Sequence, residues 1–168
     1  MNFQFYVEKL KALEKYPDFL KEFPRAYPCS GFFVFDKTGE DNKQHFDFFL
    51  PKDDKIVSFQ LESGNFAPVD MIGEEKLEKI DLDLEFDFND VESIIEKEKI
   101  SRGIKNKIQK FLFSLQRKNG KHFLVGTVFI SGLGMIKVSV DLKEMKIEDF
   151  EKKSFFDIMK VKKGKKKD

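Results

Sequence analysis

The chain has no tryptophan, one cysteine and only two histidines in 168 residues. A lone Cys29 excludes an internal disulfide and fits a reducing compartment. His45 and His122 are too few for a histidine-rich metal centre, and no second His or Cys stands at zinc-ligand spacing around either. No apolar run approaches the roughly 18 residues of a membrane-crossing helix. The opening Met1-Asn2-Phe3-Gln4-Phe5 has no basic start, and Glu8 and Lys9 interrupt the apolar residues after it, so secretion is disfavoured and a cytoplasmic location expected.

What is abundant is phenylalanine, 21 residues, and charge, 36% of the chain. Phe brings a large ring with no polar atom to satisfy, so the interior is expected to be dry and aromatic, and the charge is enough to coat one globule. The charge is polarised. Lys160, Lys162, Lys163, Lys165, Lys166 and Lys167 crowd the last nine residues; taking these six from 31 basic residues, and Asp168 from 30 acidic ones, leaves 25 against 29 in the body. Six like charges in nine residues predict a disordered tail over 160–168 with salt-sensitive affinity for a polyanion such as nucleic acid, or simply a solubilising terminus.

Phe3, Tyr6, Val7, Leu10 and Leu13 recur at helical spacing until Pro17, after which Phe19, Leu20 and Phe23 supply one more turn. Gly31–Phe35, Gln44–Leu50 and Lys55–Glu62 read as an antiparallel meander, with Phe66–Ile72 an extension that Pro68 confines to an edge. From Ile80 to Phe88 apolar residues alternate with Asp81, Asp83, Glu85 and Asp87, which predicts a strand with an acidic outer face. Asn89 with Glu92 has capping-box spacing, and Ile100, Ile104, Ile108, Phe111, Leu112 and Leu115 predict one long curved helix from Asn89 to Arg117, bent at Gly103 and ended by Asn119-Gly120. Phe123–Ser131 and Met135–Leu142 form a hairpin around Gly132-Leu133-Gly134, the first arm apolar on both faces and therefore expected to be central. Lys143-Glu144 turns into Lys146–Lys152, and Ser154 and Asp157 begin a short helix carrying Phe155, Phe156, Ile158 and Met159. The fold class is α+β: a meander sheet packed on a long helix, in one domain over 1–159.

Lys52-Asp53-x-Lys55-Ile56-x-x-Phe59 and Lys143-Glu144-x-Lys146-Ile147-x-x-Phe150 match at a separation of 91 residues, as do Phe32 with Phe123 and Val34 with Val125. Either the chain is a duplication with α-β-β-β halves over 1–72 and 80–152, or turn chemistry has converged. Such a helix-plus-meander unit resembles the PepSY-like and cystatin-like folds, the second half with Lys146-Ile147-Glu148-Asp149-Phe150 more closely. Through Tyr27–Val34 and Ser131–Gly134 the chain is also similar to small proteins of archaea with reduced genomes. The PepSY resemblance implies binding or inhibition in secreted or membrane settings, for which the expected export signal is lacking, and neither resemblance carries over a functional residue.

Candidate chemistry is sparse. Asp81, Asp83, Glu85 and Glu92 imitate a calcium loop, but Phe86 stands where that loop requires glycine, so a solvated acidic face that meets a cationic partner is preferred. Gly132-Leu133-Gly134 leads into a strand, not the helix of a phosphate loop. Gly31–Phe35 lacks the interleaved basic residues of a base-stacking sheet. Cys29 with either histidine has no local support as a nucleophile–base pair. No catalytic, metal or cofactor residue is assigned, and the expectation is a non-enzymatic binding module for a protein or small ligand. The alternative is an accessory nucleic-acid binder acting through the lysine tail.

Overall fold

Asn2 starts the first helix by accepting the Gln4 amide on its side chain at 2.9 Å, and α1 (Phe3–Lys11) turns Phe3, Tyr6, Val7 and Leu10 inward. Pro17 is the third residue of a separate helix, α2 (Lys15–Glu22), rather than a break; its missing N–H falls where a helix has no partner for one. The computed structural model describes residues 1–70 and 77–154. The lysine tail, with Lys160, Lys162, Lys163, Lys165, Lys166 and Lys167, and the helix expected over 154–159 therefore lie outside the described residues, apart from Ser154.

Strands β1 (Tyr27–Asp36), β2 (Lys43–Leu50), β3 (Lys55–Gln60) and β4 (Phe66–Val69) form the first meander. After α3 (Phe88–Ser101) come β5 (Ile108–Lys118), β6 (Lys121–Ile130), β7 (Gly134–Asp141) and β8 (Lys146–Ser154). All eight join one antiparallel sheet in the order β4-β3-β2-β1-β5-β6-β7-β8, so the two meanders meet at a β1–β5 seam. The edges are guarded: β4 is four residues long with Pro68 in it, and β8 is dominated by charge.

The three helices cover one face of this sheet. Tyr16 and Phe19 pack on Phe48 and Phe59, Tyr6 on Phe33 and Phe35, and Phe88 on Phe33, Phe35 and Phe113. Each buried ring contributes roughly 1.5–3 kcal/mol by leaving water, and Phe3, Phe33, Phe46, Phe59 and Phe113 are fully enclosed. The core between helices and sheet is packed with side chains, apart from an open cavity of about 370 Å³ at its margin lined by Tyr6, Phe35, Phe88 and Glu92. Residues at the alternate strand positions, including Phe32, His45, Asp47, Ser58, Ser114, Gln116, Val125 and Ser139, face the other way, where no helix of the described residues lies.

The long helix from Asn89 to Arg117 is not formed. Helix α3 stops at Arg102 because Gly103 takes φ 73° and closes a C-terminal turn: its amide meets Ile100 O at 2.9 Å, and the Ile104 amide meets Lys99 O at 3.1 Å. The chain then enters β5, with Phe111, Phe113 and Leu115 inward and Leu112 on the opposite face. Asn119 and Gly120, at φ 51° and 77°, form the tight turn to β6 rather than a helix end. The helix cap is Asp87, whose Oδ1 takes the Asn89 amide at 2.8 Å, not Asn89; Glu92 instead pairs with Lys37 at 3.1 Å.

The segment Ile80–Asp87 is extended but is not a ladder strand; its regular pairing is one bridge, Asp87 with Asn2. The burial alternation does hold, with Ile80 and Phe86 inside and Asp81, Asp83 and Glu85 exposed. Its backbone is satisfied by other means: Gln4 Nε2 donates to Leu82 O (2.8 Å) and Leu84 O (2.6 Å), and the Phe3 amide to Phe86 O (2.9 Å). Strand β6 is buried on one face alone, since Leu124, Val128 and Ile130 are inside while Val125 is 39% exposed. The 91-residue offset carries β1, β2 and β3 onto β6, β7 and β8, whereas counting outward from the β1–β5 seam makes β5 the counterpart of β1.

Candidate functional site

Beyond the Gly31–Leu115 pair, β1 and β5 part, and a strap over residues 77–87 enters between them with its first four residues, Leu77–Ile80. The Ile80 amide donates to Pro28 O at 2.9 Å, Arg117 Nη1 to Lys79 O at 3.3 Å, and the Gly120 amide to Glu78 Oε1 at 3.3 Å. A cavity of about 450 Å³ remains there, lined by Cys29, Ser30, Leu77, Glu78, Ser114, Gln116, Arg117, Lys118 and Asn119. A more apolar cavity of about 460 Å³ lies between Glu22–Ala26 and Leu50–Asp53, in the turns before β1 and after β2.

A bulge shapes the seam. Ser30 faces Asp47 and Pro28 faces Phe48, which leaves Cys29 as the extra residue of β1. Ser30 Oγ donates to Asp47 Oδ2 at 2.7 Å and Cys29 Sγ to Asp47 O at 3.4 Å. His45 lies flat on Phe32, with centroids 5.0 Å apart, and its Nε2 is 3.6 Å from Asp47 Oδ1. Cys29 and His45 thus both meet Asp47, one at its backbone oxygen and one at its carboxylate, although nothing local in the sequence supports their pairing. They do not form a nucleophile–base pair: the Ser30 proton goes to Asp47, not to His45, and no hydrogen bond joins Cys29 to His45.

Burial pushes the Cys29 thiol up from 9.0 to about 12, with the Asp47 charge adding to the effect and hydrogen bonds from Ser30 and the backbone opposing it. That is about a thousandfold less thiolate than an ordinary cysteine holds near neutrality. A thiol-labelling time course at pH 7.5 is expected to show reaction of Cys29 only as fast as the protein unfolds.

His122 sits on the other side of the strap, where its Nε2 accepts the Asp81 amide at 3.0 Å. Burial, then the Arg117 charge, lowers its pKa below 6.5, against the opposing pull of Asp81 and Glu78. The neutral ring is therefore favoured by folding. Its contribution is fully present above pH 6.5, where the unfolded chain is also neutral, and is lost as the pH falls toward the depressed native value, because the unfolded state takes up the proton first. Urea midpoints measured from pH 7.5 down to 5 should decline in the native sequence and decline less in His122→Gln. Asp36, Asp41 and Asp87 are lowered from 3.8, so their losses come at more acid pH.

The acidic quartet is on the exposed side of the strap, and two of its members are already engaged. Asp81 Oδ1 accepts the Asp83 amide at 2.8 Å, and Asp87 caps α3 while pairing with the Met1 amine at 2.9 Å. Among the described residues no group of three His, Cys, Asp or Glu side chains is placed to hold a metal, and no helix is long and apolar enough to cross a membrane.

Among the described residues, two buried side-chain polar atoms lack a hydrogen-bond partner, Asp47 Oδ1 and Arg117 Nε. Both belong to the seam, one beside Ser30 and one on a cavity-lining residue. Sequence reasoning passed over Arg117 and Asp47; the polar run Gln116-Arg117-Lys118-Asn119 at a strand end was the available signal.

No family model matches the chain, and no curated protein matches it. Among solved structures it is similar to a "putative lipoprotein" from Clostridium difficile 630, with a TM-score of 0.51 and 14% identity over 82% of this chain and 89% of that one. At that identity the similarity establishes a shared fold and nothing of function.

Proposed function

We propose that the protein is a non-enzymatic binding module that engages a protein or small ligand at the β1–β5 seam of its sheet. The observation that carries this reading is Arg117 Nε, buried without an acceptor on a residue that lines the 450 Å³ cavity; Asp47 Oδ1, beside the cavity-lining Ser30, has only His45 Nε2 at 3.6 Å. A buried donor or acceptor without a partner costs about 1–3 kcal/mol, so a ligand that supplies the partner gains what the free protein forgoes. The filled aromatic interior argues against a ligand between helices and sheet. A protonated Cys29 and a Ser30 committed to Asp47 favour holding over covalent chemistry. The resemblance to PepSY-like units points the same way.

The test is a thermal-shift panel of metabolites, nucleotides and short peptides, with each hit recovered and weighed by mass spectrometry. A saturable rise in Tm with the compound returned intact supports binding. Conversion of a hit, slowed by Ser30→Ala or His45→Gln, would contradict it.

A further inference from the structure

We infer that the seam cavity is a binding site for a small carboxylate anion, with the Arg117 guanidinium as its anchor. This rests on the seam being the ligand site and adds the chemistry of the ligand. Arg117 is the cationic group of the cavity that is partly buried, while Lys118 and Asn119 stand exposed at its rim. Of the Arg117 donors, Nη1 has the Lys79 carbonyl at 3.3 Å and Nε has nothing. Glu78, the acidic residue lining the cavity, accepts the Gly120 amide and makes no ion pair with Arg117. The guanidinium therefore has no carboxylate in ion-pair contact and one donor, Nε, without an acceptor, while the Glu78 carboxylate lines the same cavity.

The neighbours complete a donor set. Gln116 Nε2 donates to Ser114 Oγ at 3.0 Å, which leaves the Ser114 O–H free to donate. The Asn119 amide and the Lys118 ammonium add donors at the mouth. The Ser30 hydroxyl is spent on Asp47 and offers the ligand no proton. A planar guanidinium fork with N–H and O–H donors around it matches a carboxylate, which takes two parallel N–H bonds from one arginine.

Binding is read by isothermal titration of the full chain at low salt with citrate and malonate, and with inorganic phosphate as the competing oxyanion. Citrate is expected to bind with a Kd of about 1 mM or tighter, more tightly than phosphate and weakening with added salt. Arg117→Gln should weaken it about tenfold or more and Arg117→Lys partly, since the charge stays and the fork goes. Arg102→Gln, on the helix face over Phe150, should leave it unchanged. Should Arg117→Gln fail to fold, Ser114→Ala and Lys118→Gln must each weaken citrate severalfold. Undiminished binding in these variants, or phosphate bound as tightly as citrate, overturns the inference. If no carboxylate binds but a panel compound does, and Phe32→Ala or His45→Gln weakens that compound, the carboxylate assignment falls while the seam remains the binding site.

Discussion

Phe88→Ala is expected to cost about 3–5 kcal/mol, the range for removing a buried aromatic ring whose cavity cannot collapse. Phe88 is 1% exposed and opens α3 directly after its Asp87 cap. Its ring meets Tyr6 of α1, Phe33 and Phe35 of β1, Phe86 of the strap and Phe113 of β5, at centroid distances from 4.8 to 6.0 Å. Four elements thus converge on one side chain, and those on the two sides of the seam have no reason to close over the gap together. Chemical denaturation should show the loss in the midpoint with the slope unchanged. A cost below about 1 kcal/mol would mean the rings repack freely, and the aromatic interior would then be looser than the ring distances imply.

Gly126→Val should cost about 3 kcal/mol by the opposite route, overpacking. Gly126 lies on the helix-covered face of β6 between its cross-strand partners Phe113 and Val138. A Cβ there would sit 3.0 Å from Phe113 Cδ1 and 3.0 Å from Val138 Cγ1, before the two valine methyls are added. Phe113 cannot retreat easily, because Phe35, Phe88 and Phe111 surround it. Gly126→Ala should fall between the native protein and the valine variant. Equal stability of all three would show that the β5–β6–β7 layer has space that the structure does not give it.

Much of the first meander was legible because its runs are short, alternate strictly and are separated by turn chemistry. Phe46, Phe48 and Leu50 share the buried face of β2, and Val57 and Phe59 that of β3, as the period of two required. Pro68 marked an edge correctly. The second half failed at one place. Ile104, Ile108, Phe111, Leu112 and Leu115 sit at helical intervals, yet Leu112 belongs to the opposite face, and Phe113 and the positive φ of Gly103 decide for a strand. Asn119-Gly120 is a strong hairpin signal that was spent on ending a helix that does not exist there.

The strap shows a different limit. Its alternation gave the right burial, but a strand needs a neighbouring strand, and Ile80–Asp87 has Gln4, Phe3 and His122 instead. The candidate site was the least legible part, because it depends on a bulge at Cys29 and on which two strands meet in the middle of the sheet. Neither property is local. Cys29 and His45 stand out as residue types, while Arg117 and Asp47 matter through contacts made only in the fold, with Lys79 O and with Ser30 and His45.

The most direct measurement is a map of backbone amide shifts, by two-dimensional NMR, on titrating the protein with citrate or with any compound that raises Tm. Shifts gathered at residues 29–30, 45–47 and 114–119 are the result expected of a ligand held at the β1–β5 seam. Shifts gathered instead on Phe3, Val91 and Ile95, within the helix-covered interior, would contradict it.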